Sequence, residues 1–235
     1  MAAKLSERGS LESFPYLRYL AQRATAGADH IDYQGALDAL SDDTVVVEIG
    51  AMDGVRFDTL HRSLVSRGWH ATLVEPTRDM FNQLVSNFQA FPNVRCVCAA
   101  ISDRSGPLRM HRIDPAAVAE GQVEDWALGL SALSPDKTLK FYAGLTETEE
   151  VEALTFADFL QREGIDRIDV LQIDTEGHDF IIFDQIDFDR HAIRVLHNEL
   201  INLDPVDRLT IFERLRHHGY RCYYDGNDLT ALRPR

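Results

Sequence analysis

Apolar and polar residues follow two periods along most of this chain, and the two periods alternate. Short runs of consecutive apolar residues are typical of strands buried on both faces of a sheet. Such runs occupy residues 44–49, 71–75, 94–100, 168–173 and 193–196. The segments between the runs carry apolar residues every three or four positions, which predicts helices. Alternating strands and helices predict an α/β fold with a parallel sheet and right-handed crossovers.

The predicted helices have recognisable ends. One contains Phe57, Leu60 and Leu64 and ends at Gly68, because glycine readily adopts the left-handed conformation that closes a helix. Another begins after Thr155, whose hydroxyl is a good N-cap. Further helical patterns cover residues 80–88, 180–186 and 205–215.

Residues 1–40 precede the first predicted strand and are predicted to form a helical extension. Ser13 is a candidate N-cap, with Pro15 near the first position of a helix. A second short helix is predicted around residues 34–40. Such a segment covers either a ligand site or the edge of a sheet, and the sequence leaves both open. Residues 41–235 are predicted to form the α/β domain.

Residues 102–150 interrupt the strand–helix alternation. Ser105 and Gly106 predict a turn, and residues 108–111 predict a short strand. Residues 137–143 and 151–154 alternate like two antiparallel strands. We interpret residues 107–154 as an insertion on the functional edge of the sheet.

The C-terminal end predicts a β-hairpin. Residues 220–224 and 229–232 flank the turn sequence Asp-Gly-Asn-Asp at positions 225–228. An antiparallel hairpin added to a parallel sheet distinguishes the methyltransferase version of this fold from the dinucleotide-binding version.

Charge and composition argue against several classes of partner. The formal net charge is −14 and the isoelectric point about 5.0. Nucleic acids and anionic membranes are bound through cationic contacts, so neither is expected as the main partner. No apolar run is long enough for a membrane helix, and the polar N-terminus does not resemble a signal peptide. Cys96, Cys98 and Cys222 predict buried thiols in a reducing compartment. We expect a cytoplasmic protein, and a homodimer is compatible with the sequence.

Polar side chains follow the predicted strands where each strand ends. They are Glu48, Glu75, Ser102, Asp103, Asp174, Glu176, His197, Asn198 and Glu199. In an open α/β sheet, ligands bind outside the carboxyl ends of the strands. We therefore expect these side chains to face one crevice.

The stretch from Glu48 to Gly54 is the first candidate for a cofactor site. Its turn contains Gly50 and Gly54, and glycine lets a backbone approach a ligand closely. Glu48 and Asp53 make the turn acidic, which suits a ligand with an ammonium and a sulfonium group and repels a pyrophosphate. Glu75 follows about 20 residues later, where an acidic residue of this fold accepts ribose hydroxyls. These features favour S-adenosylmethionine over NAD.

Four stretches together resemble the FkbM family of class I methyltransferases. They are Val-Glu-Ile-Gly-Ala-Met-Asp-Gly (47–54), Leu-Val-Glu-Pro (73–76), Ala-Ile-Ser-Asp-Arg-Ser-Gly (100–106) and Ile-Asp-Val-Leu-Gln-Ile-Asp-Thr-Glu-Gly-His-Asp (168–179). The resemblance implies a Rossmann-like, mostly parallel sheet of seven strands that includes the C-terminal hairpin. It also implies S-adenosylmethionine-dependent methyl transfer, commonly to a hydroxyl of a sugar or polyketide-type natural product.

The resemblance further implies which residues hold the cofactor. They would be Glu48, Gly50, Ala51, Asp53, Gly54, Glu75, Pro76, Ser102, Asp103 and Asp174, with Ser102 and Asp103 near the adenine. Two residues depart from the family pattern. Met52 stands where the family usually has Asn, near the methionine end of the cofactor, and Asp179 stands where it usually has Glu, near the reacting centre.

The acceptor is expected at the last two strand ends, among Glu176, His178, Asn198 and Glu199. His178 is the best candidate for the general base, because the pKa of histidine ordinarily lies near neutral pH. His197 is the second candidate. Asp174 is the third candidate catalytic residue.

Asp174, Asn198 and Glu199 also resemble the magnesium site of catechol O-methyltransferase. Oxygen ligands suit a hard divalent ion, which would lower the pKa of a bound hydroxyl and orient it. Methyl transfer does not require a metal, and each residue has a structural alternative. Asp174 and Glu176 are also helix-capping types, His178 is also compatible with a solvated helix position, and Asn198 and Glu199 with backbone partners.

We therefore expect an S-adenosylmethionine-dependent O-methyltransferase that acts on a small molecule carrying a hydroxyl group. Two alternatives stay open: a non-catalytic ligand-binding protein on the same fold, and an NAD-linked oxidoreductase.

Overall fold

The computed structural model of the protein describes residues 32–133 and 139–234. Its strands, in chain order, are β1 (Val45–Ile49), β2 (His70–Val74), β3 (Val94–Val97), β4 (Ala100–Ile101), β5 (Gly106–Ile113), β6 (Ser131–Ala132), β7 (Thr146–Leu154), β8 (Val170–Ile173), β9 (Val195–Glu199), β10 (Arg221–Tyr224) and β11 (Asp228–Leu232). Its α-helices are α1 (Tyr33–Asp38), α2 (Leu60–Arg67), α3 (Arg78–Phe88), α4 (Pro115–Ala119), α5 (Phe156–Glu163), α6 (Asp179–Asp184) and α7 (Pro205–His217). Short 3-10 helices cover Asp125–Gly129 and Leu139–Tyr142.

The main sheet has seven strands in the order β10-β11-β9-β8-β1-β2-β3. The pairs among β9, β8, β1, β2 and β3 are parallel, whereas β11 is antiparallel to both β9 and β10. The predicted parallel sheet and C-terminal hairpin are therefore confirmed. Chain order reverses direction at β1, between β2 and β8, and a crevice opens at such a point.

Two apolar clusters cover the two faces of the main sheet. Val47 and Ile49 belong to the cluster that contains the apolar residues of α5, α6 and α7. Val46 belongs to the other cluster, with apolar residues of α1, α2 and α3. Successive strand residues point to opposite faces, so burial on both faces explains why the strands are continuous apolar runs.

Local capping sets the helix ends. Thr155 Oγ1 accepts a hydrogen bond from the backbone N–H of Asp158 at 3.0 Å, as expected of an N-cap. The helix predicted to contain Phe57 begins only at Leu60. Asp58 Oδ1 accepts the N–H of Leu60 at 2.7 Å, and Phe57 lies in the left-handed region with φ 62°, so the helix cannot extend back to it.

A second sheet has the order β4-β7-β5-β6. Most of it comes from residues 107–154, the predicted insertion, but β4 precedes that segment and β5 begins at Gly106. The predicted strand at residues 108–111 is confirmed as β5, which extends beyond the prediction at both ends. The predicted strand at residues 137–143 is wrong: its described part is a 3-10 helix. Leu139 and Tyr142 pack into one apolar cluster, and a spacing of three residues is that of a 3-10 helix.

The N-terminal region is described from residue 32 onward, so the helix predicted from Ser13 lies outside the described residues. The second predicted helix is confirmed as α1, which Asp32 caps by accepting the N–H of Gly35 at 2.7 Å. Tyr33, Ala36 and Leu37 of α1 are buried against the sheet. No helix in residues 32–133 or 139–234 is both long and apolar enough to cross a membrane.

Candidate active site

A cleft lies at the carboxyl ends of β1, β2 and β8, with residues 129–133 and Trp126 on its opposite wall. The space between these residues is about 1100 Å³, a figure that includes open solvent. The second sheet thus forms one side of the cleft and the main sheet the other.

Met52 joins these two sides. A Cβ placed on Gly129 would lie 2.7 Å from the sulfur of Met52, so the thioether packs directly on that glycine. Next to this contact, Arg56 pairs with Asp125 at 2.8 Å. Met52, which departs from the family pattern, therefore packs on Gly129 in the wall opposite the main sheet.

The two glycines of the turn allow close packing within the protein. A Cβ on Gly50, with φ 90°, would lie 1.6 Å from the carbonyl oxygen of Asp174. A Cβ on Gly54, with φ 69°, would lie 2.5–2.6 Å from Phe88 and Leu84 of α3. Of the two, Gly50 lines the cleft, together with Ala51. Gly54 is set back against α3.

Asp53 closes the turn on itself. Its carboxylate accepts the N–H groups of Val55 and Arg56 at 3.0 and 2.9 Å and the Nε–H of Arg56 at 2.6 Å. These bonds lower the pKa of Asp53, although its partial burial opposes them. Asp53 therefore supports the turn and is not among the described residues that line the cleft.

Glu75 and Pro76 lie at the end of β2 and line the cleft. The buried Glu75 carboxylate accepts the N–H of Thr77 at 2.8 Å and the N–H of Met52 at 3.1 Å. Burial raises the pKa of Glu75 to about 7. The residue expected to accept ribose hydroxyls is thus held by the glycine turn at the edge of the cleft.

Glu48 lies at the centre of a group of buried polar atoms. Its Oε1 accepts Nε2–H of Gln172 at 2.9 Å. Glu48 Oε2, Gln172 Oε1, Asp58 Oδ2 and the Tyr33 hydroxyl have no hydrogen-bond partner among the described residues. Burial, reinforced by Asp58 and Asp174, raises the pKa of Glu48 well above its usual range.

The neighbours of Glu48 were not predicted from the sequence. Gln172 is the polar residue within the apolar strand Val-Leu-Gln-Ile, and a buried polar residue in such a strand was a signal that could have identified it. Asp58 and Tyr33 carried no comparable signal, because their approach to Glu48 depends on how α1 and the turn pack.

Three carboxylates meet after β8 and β9. Oxygen atoms of Asp174, Glu176 and Glu199 all lie within 4.8 Å of one another. Asn202 bridges two of them, because its Nδ2 donates to Glu176 at 2.9 Å and to Glu199 at 3.1 Å. Burial raises the pKa of Asp174 to about 6, and burial together with the neighbouring carboxylates raises that of Glu199 to about 10.

Asn198, predicted to lie with this group, has an amide oxygen Oδ1 that lacks a hydrogen-bond partner among the described residues. It is fully buried and donates Nδ2–H to the carbonyl of Glu199 at 2.7 Å. Asp179 is turned away from the cleft: its carboxylate accepts the N–H groups of Thr175 and Gly177 at 3.1 and 3.0 Å. Burial raises the pKa of Asp179 to about 8. The departure at Asp179 therefore concerns the shape of the loop that carries the acidic residues.

The two candidate bases have different surroundings. His178 borders the cleft, and its Nε2 lies 3.1 Å from the hydroxyl of Ser102. Burial lowers the pKa of His178, and Asp103 partly opposes this. His197 stacks on Tyr33, with ring centroids 3.8 Å apart, and its Nδ1 lies 3.0 Å from Thr230 Oγ1. Burial lowers the pKa of His197 to about 4, and this ring is not among the described residues that line the cleft.

Ser102 and Asp103, expected near the adenine, follow β4. Ser102 is buried and contacts His178, and Asp103 is exposed. Neither is among the described residues that line the cleft, which contains the preceding residues 99–101 instead.

A seven-stranded sheet in this order, with a cleft at its carboxyl ends, defines a class I methyltransferase fold. A family model described as "Methyltransferase FkbM domain" matches residues 48–222. The chain belongs to the FkbM methyltransferase family.

Several solved structures are similar to this chain at low sequence identity, and one with a TM-score above 0.5 shares its fold. A methyltransferase FkbM from Methylobacillus flagellatus KT has a TM-score of 0.53 at 11% identity, over 82% of this chain and 44% of that chain. A precorrin-6Y C5,15-methyltransferase from Geobacter metallireducens GS-15 has a TM-score of 0.45 at 15% identity, covering 89% and 94%. The N-terminal domain of human METTL16 in complex with SAH has a TM-score of 0.42 at 13% identity, covering 84% and 65%. This chain spans less than half the length of the FkbM structure, and no curated protein sequence matches it.

Proposed function

We propose that the protein transfers a methyl group from S-adenosylmethionine to a hydroxyl oxygen of a small molecule. The observation that carries the proposal is the set of buried oxygen atoms at Glu48, Gln172 and Asp58 that lack partners among the described residues. Buried polar atoms are ordinarily hydrogen-bonded, so this group is suited to a ligand that donates hydrogen bonds.

The charge of the cleft supports the same ligand. Its lining contains five carboxylates, those of Glu48, Asp58, Glu75, Asp174 and Glu176. The guanidinium of Arg56 also lies there, but it is paired with Asp53 and Asp125. Burial raises the pKa of Glu48 and of Glu75, so a cationic ligand would favour their ionised form, whereas a pyrophosphate would oppose it. A ligand with ammonium and sulfonium groups is therefore favoured over NAD. The NAD-linked alternative is therefore the less suitable one.

The residues present fit this cofactor. Glu48, Gln172 and Asp58 would accept hydrogen bonds from its ammonium group, and Glu75 would accept them from its ribose hydroxyls. Gly50, Ala51 and Pro76 would lie against it, with Asp174 close to the turn. When bound, S-adenosylmethionine supplies a methyl group whose C–S bond breaks with its electron pair on sulfur as the C–O bond forms. The chain must then remove the proton of the acceptor hydroxyl.

His178 is the residue suited to that role. Its ring borders the cleft beside Asp174 and Glu176, and burial favours its neutral, proton-accepting form. Methyl transfer by this route needs alignment and a general base. His197 lacks access to the described cleft, so His178 is preferred over it.

Two aromatic residues support a sugar or a similar ring compound as the acceptor. Phe57 and Trp126 line the cleft yet are 82% and 44% exposed. Phe57 is also held in the left-handed region, an uncommon conformation for a bulky residue that is found at ligand sites. Exposed aromatic faces at a cleft are suited to stacking on a ring. The acidic lining argues against a phosphorylated acceptor.

A metal ion is not required for this chemistry, and we assign none, although Asp174 and Glu199 of the predicted magnesium set lie together with Glu176. The amide of Asn198 is bonded to the backbone, and Asn202 bridges Glu176 and Glu199 by donating to both. We therefore assign Glu176 and His178, which follow β8 and line the cleft, to the acceptor. A cytoplasmic location remains part of the proposal on the grounds of composition alone.

Titration calorimetry with S-adenosylhomocysteine and with NADH tests the proposal. We expect S-adenosylhomocysteine to bind and NADH not to bind. Glu75→Gln should weaken binding about 10-fold, because one of two acceptor oxygens is lost, which corresponds to about 1.4 kcal/mol. Glu150→Gln, at an exposed residue of β7, is the matched control and should leave affinity unchanged. Binding of NADH alone would reject the proposal.

A further inference from the structure

Ser102 connects His178 to a carboxylate outside the cleft. Its hydroxyl oxygen lies 3.1 Å from Nε2 of His178 and 3.2 Å from Oδ1 of Asp103. Ser102 is 1% exposed, whereas Asp103 is exposed. The three side chains therefore form a chain of contacts that leads from the cleft through a buried hydroxyl to the surface.

The chemistry of the three groups determines the direction of the two hydrogen bonds. An ionised carboxylate only accepts, and a serine hydroxyl has one proton to donate. A hydrogen bond to a charged acceptor is roughly twice as strong as one between neutral groups. The hydroxyl of Ser102 therefore donates a hydrogen bond to Asp103. Its oxygen accepts a hydrogen bond from Nε2–H of His178. Neutral histidine carries a single N–H, so Nδ1 is left without a proton.

The backbone around Ser102 holds it in place. Its N–H donates to the carbonyl of Leu154 at 2.8 Å, and its carbonyl accepts Nε2–H of Gln185 at 3.0 Å. Gln185 Oε1 in turn accepts the N–H of Phe156 at 2.9 Å. No hydrogen bond to Nδ1 of His178 is found in the described part of the chain, and His178 lines the cleft.

We propose that Ser102 and Asp103 are positioning residues that hold His178 as the tautomer protonated on Nε2, so that Nδ1 serves as the proton acceptor. This inference rests on the proposed function for its use in catalysis. The proton of the acceptor hydroxyl moves to Nδ1 and leaves an imidazolium ion. Its Nε2–H remains bonded to Ser102, whose hydroxyl remains directed to the negative charge of Asp103. The imidazolium then returns its proton to water.

Nitrogen-15 NMR of histidine-labelled protein tests the tautomer without any substrate. Long-range proton–nitrogen spectra at pH 8, where histidine is neutral, distinguish the two tautomers. His61 is an internal reference for the opposite form, because its Nδ1 lies 2.8 Å from the carbonyl oxygen of Gly54 and must donate to it. We expect His178 to carry its proton on Nε2. His178→Gln assigns the signal by its disappearance, and a proton on Nδ1 would overturn the proposal.

Asp103→Ala tests whether the carboxylate sets the tautomer. Without this acceptor, the Ser102 hydroxyl is free to donate to Nε2, so the signal of His178 should shift toward the Nδ1–H form. Arg104→Ala changes the neighbouring exposed residue and should leave the tautomer as in the wild type. An unchanged tautomer in Asp103→Ala would contradict the assignment. Failure of S-adenosylhomocysteine to bind the wild type would instead reject the proposed function, so the two failures are distinguishable.

Discussion

At the cleft, residues that are distant in sequence pack so closely that each restricts which side chain the other position can carry. Met52 has φ 49° and packs on Gly129, and Gly50 lies against the carbonyl of Asp174. In both pairs a glycine provides the space that another group occupies. The first contact involves the end of a flexible thioether, whereas the second involves a backbone carbonyl that cannot move independently.

This difference predicts unequal effects of two alanine substitutions. Gly129→Ala should destabilise the protein by about 1 kcal/mol, the low end of the cost of overpacking, because the thioether of Met52 can shift. Gly50→Ala should cost more than about 3 kcal/mol, since it adds a backbone clash to left-handed strain. Urea unfolding monitored by circular dichroism measures both values.

A double-mutant cycle provides the control for the smaller effect. In a Met52→Ala background, Gly129→Ala should lose most of its cost, because the clashing sulfur is absent. Simple additivity of the two free-energy changes would contradict the contact between Met52 and Gly129.

At the scale of elements, the second sheet is attached to the helix that follows Glu75. Arg112 of β5 is 3% exposed and pairs with Asp79 of α3. It also contacts Glu149 at 3.0 Å and Glu147 at 3.6 Å on the paired strand β7. One guanidinium thus joins β5, β7 and α3, and holds the two sides of the cleft together.

Removal of this guanidinium should destabilise the protein. Arg112→Ala is expected to cost about 2 kcal/mol, below the roughly 3–5 kcal/mol for breaking a fully buried ion pair. The cost is smaller because the three carboxylates that remain are partly exposed. Arg109→Ala, at an exposed residue of the same strand, is the control and should cost less than about 0.5 kcal/mol. Equal losses in the two variants, measured by urea unfolding, would argue against this role of Arg112.

For the whole molecule, buried carboxylates make stability depend on pH. Burial raises the pKa of Asp58 to about 6, of Glu75 to about 7 and of Asp179 to about 8. In the unfolded chain such groups ionise near pH 4. Unfolding therefore releases protons between pH 4 and these higher values, and the stability that the groups contribute is lost as the pH rises through them. The lowered pKa of Asp53 and of Asp79 has the opposite effect at acid pH. The lowered pKa of His178 and of His197 has the opposite effect up to about pH 6.5, where histidine of the unfolded chain loses its proton.

The melting temperature of the ligand-free protein should consequently fall between about pH 6.5, above which the histidines no longer contribute, and about pH 8. The slope is at most about 1.4 kcal/mol per pH unit for each proton. Glu75→Gln removes one of these groups, so its melting temperature should fall less steeply up to about pH 7, whereas Glu150→Gln should follow the wild type. Differential scanning calorimetry makes the comparison, and a melting temperature that rises over this range would refute the expectation.

The apolar runs and helical periods of the sequence determined the main sheet, its parallel core, α1 and the C-terminal hairpin. These features depend on local periodicity and on turn residues, which are visible in sequence. The same reasoning failed for residues 137–143, because alternation over a few residues does not separate a strand from a 3-10 helix whose Leu139 and Tyr142 share one face.

The sequence also determined that the strand ends carry acidic residues and that Glu48, Glu75 and Asp174 lie at a common edge. Only the tertiary structure decided which side chains face the cleft. It placed Gln172 and Asp58 beside Glu48 and directed the Asp179 carboxylate to backbone N–H groups. It also brought Ser102 to His178 across 76 positions. The physical reason is that a strand end fixes only the position of a Cα atom, whereas the direction of a polar side chain depends on partners supplied by other elements.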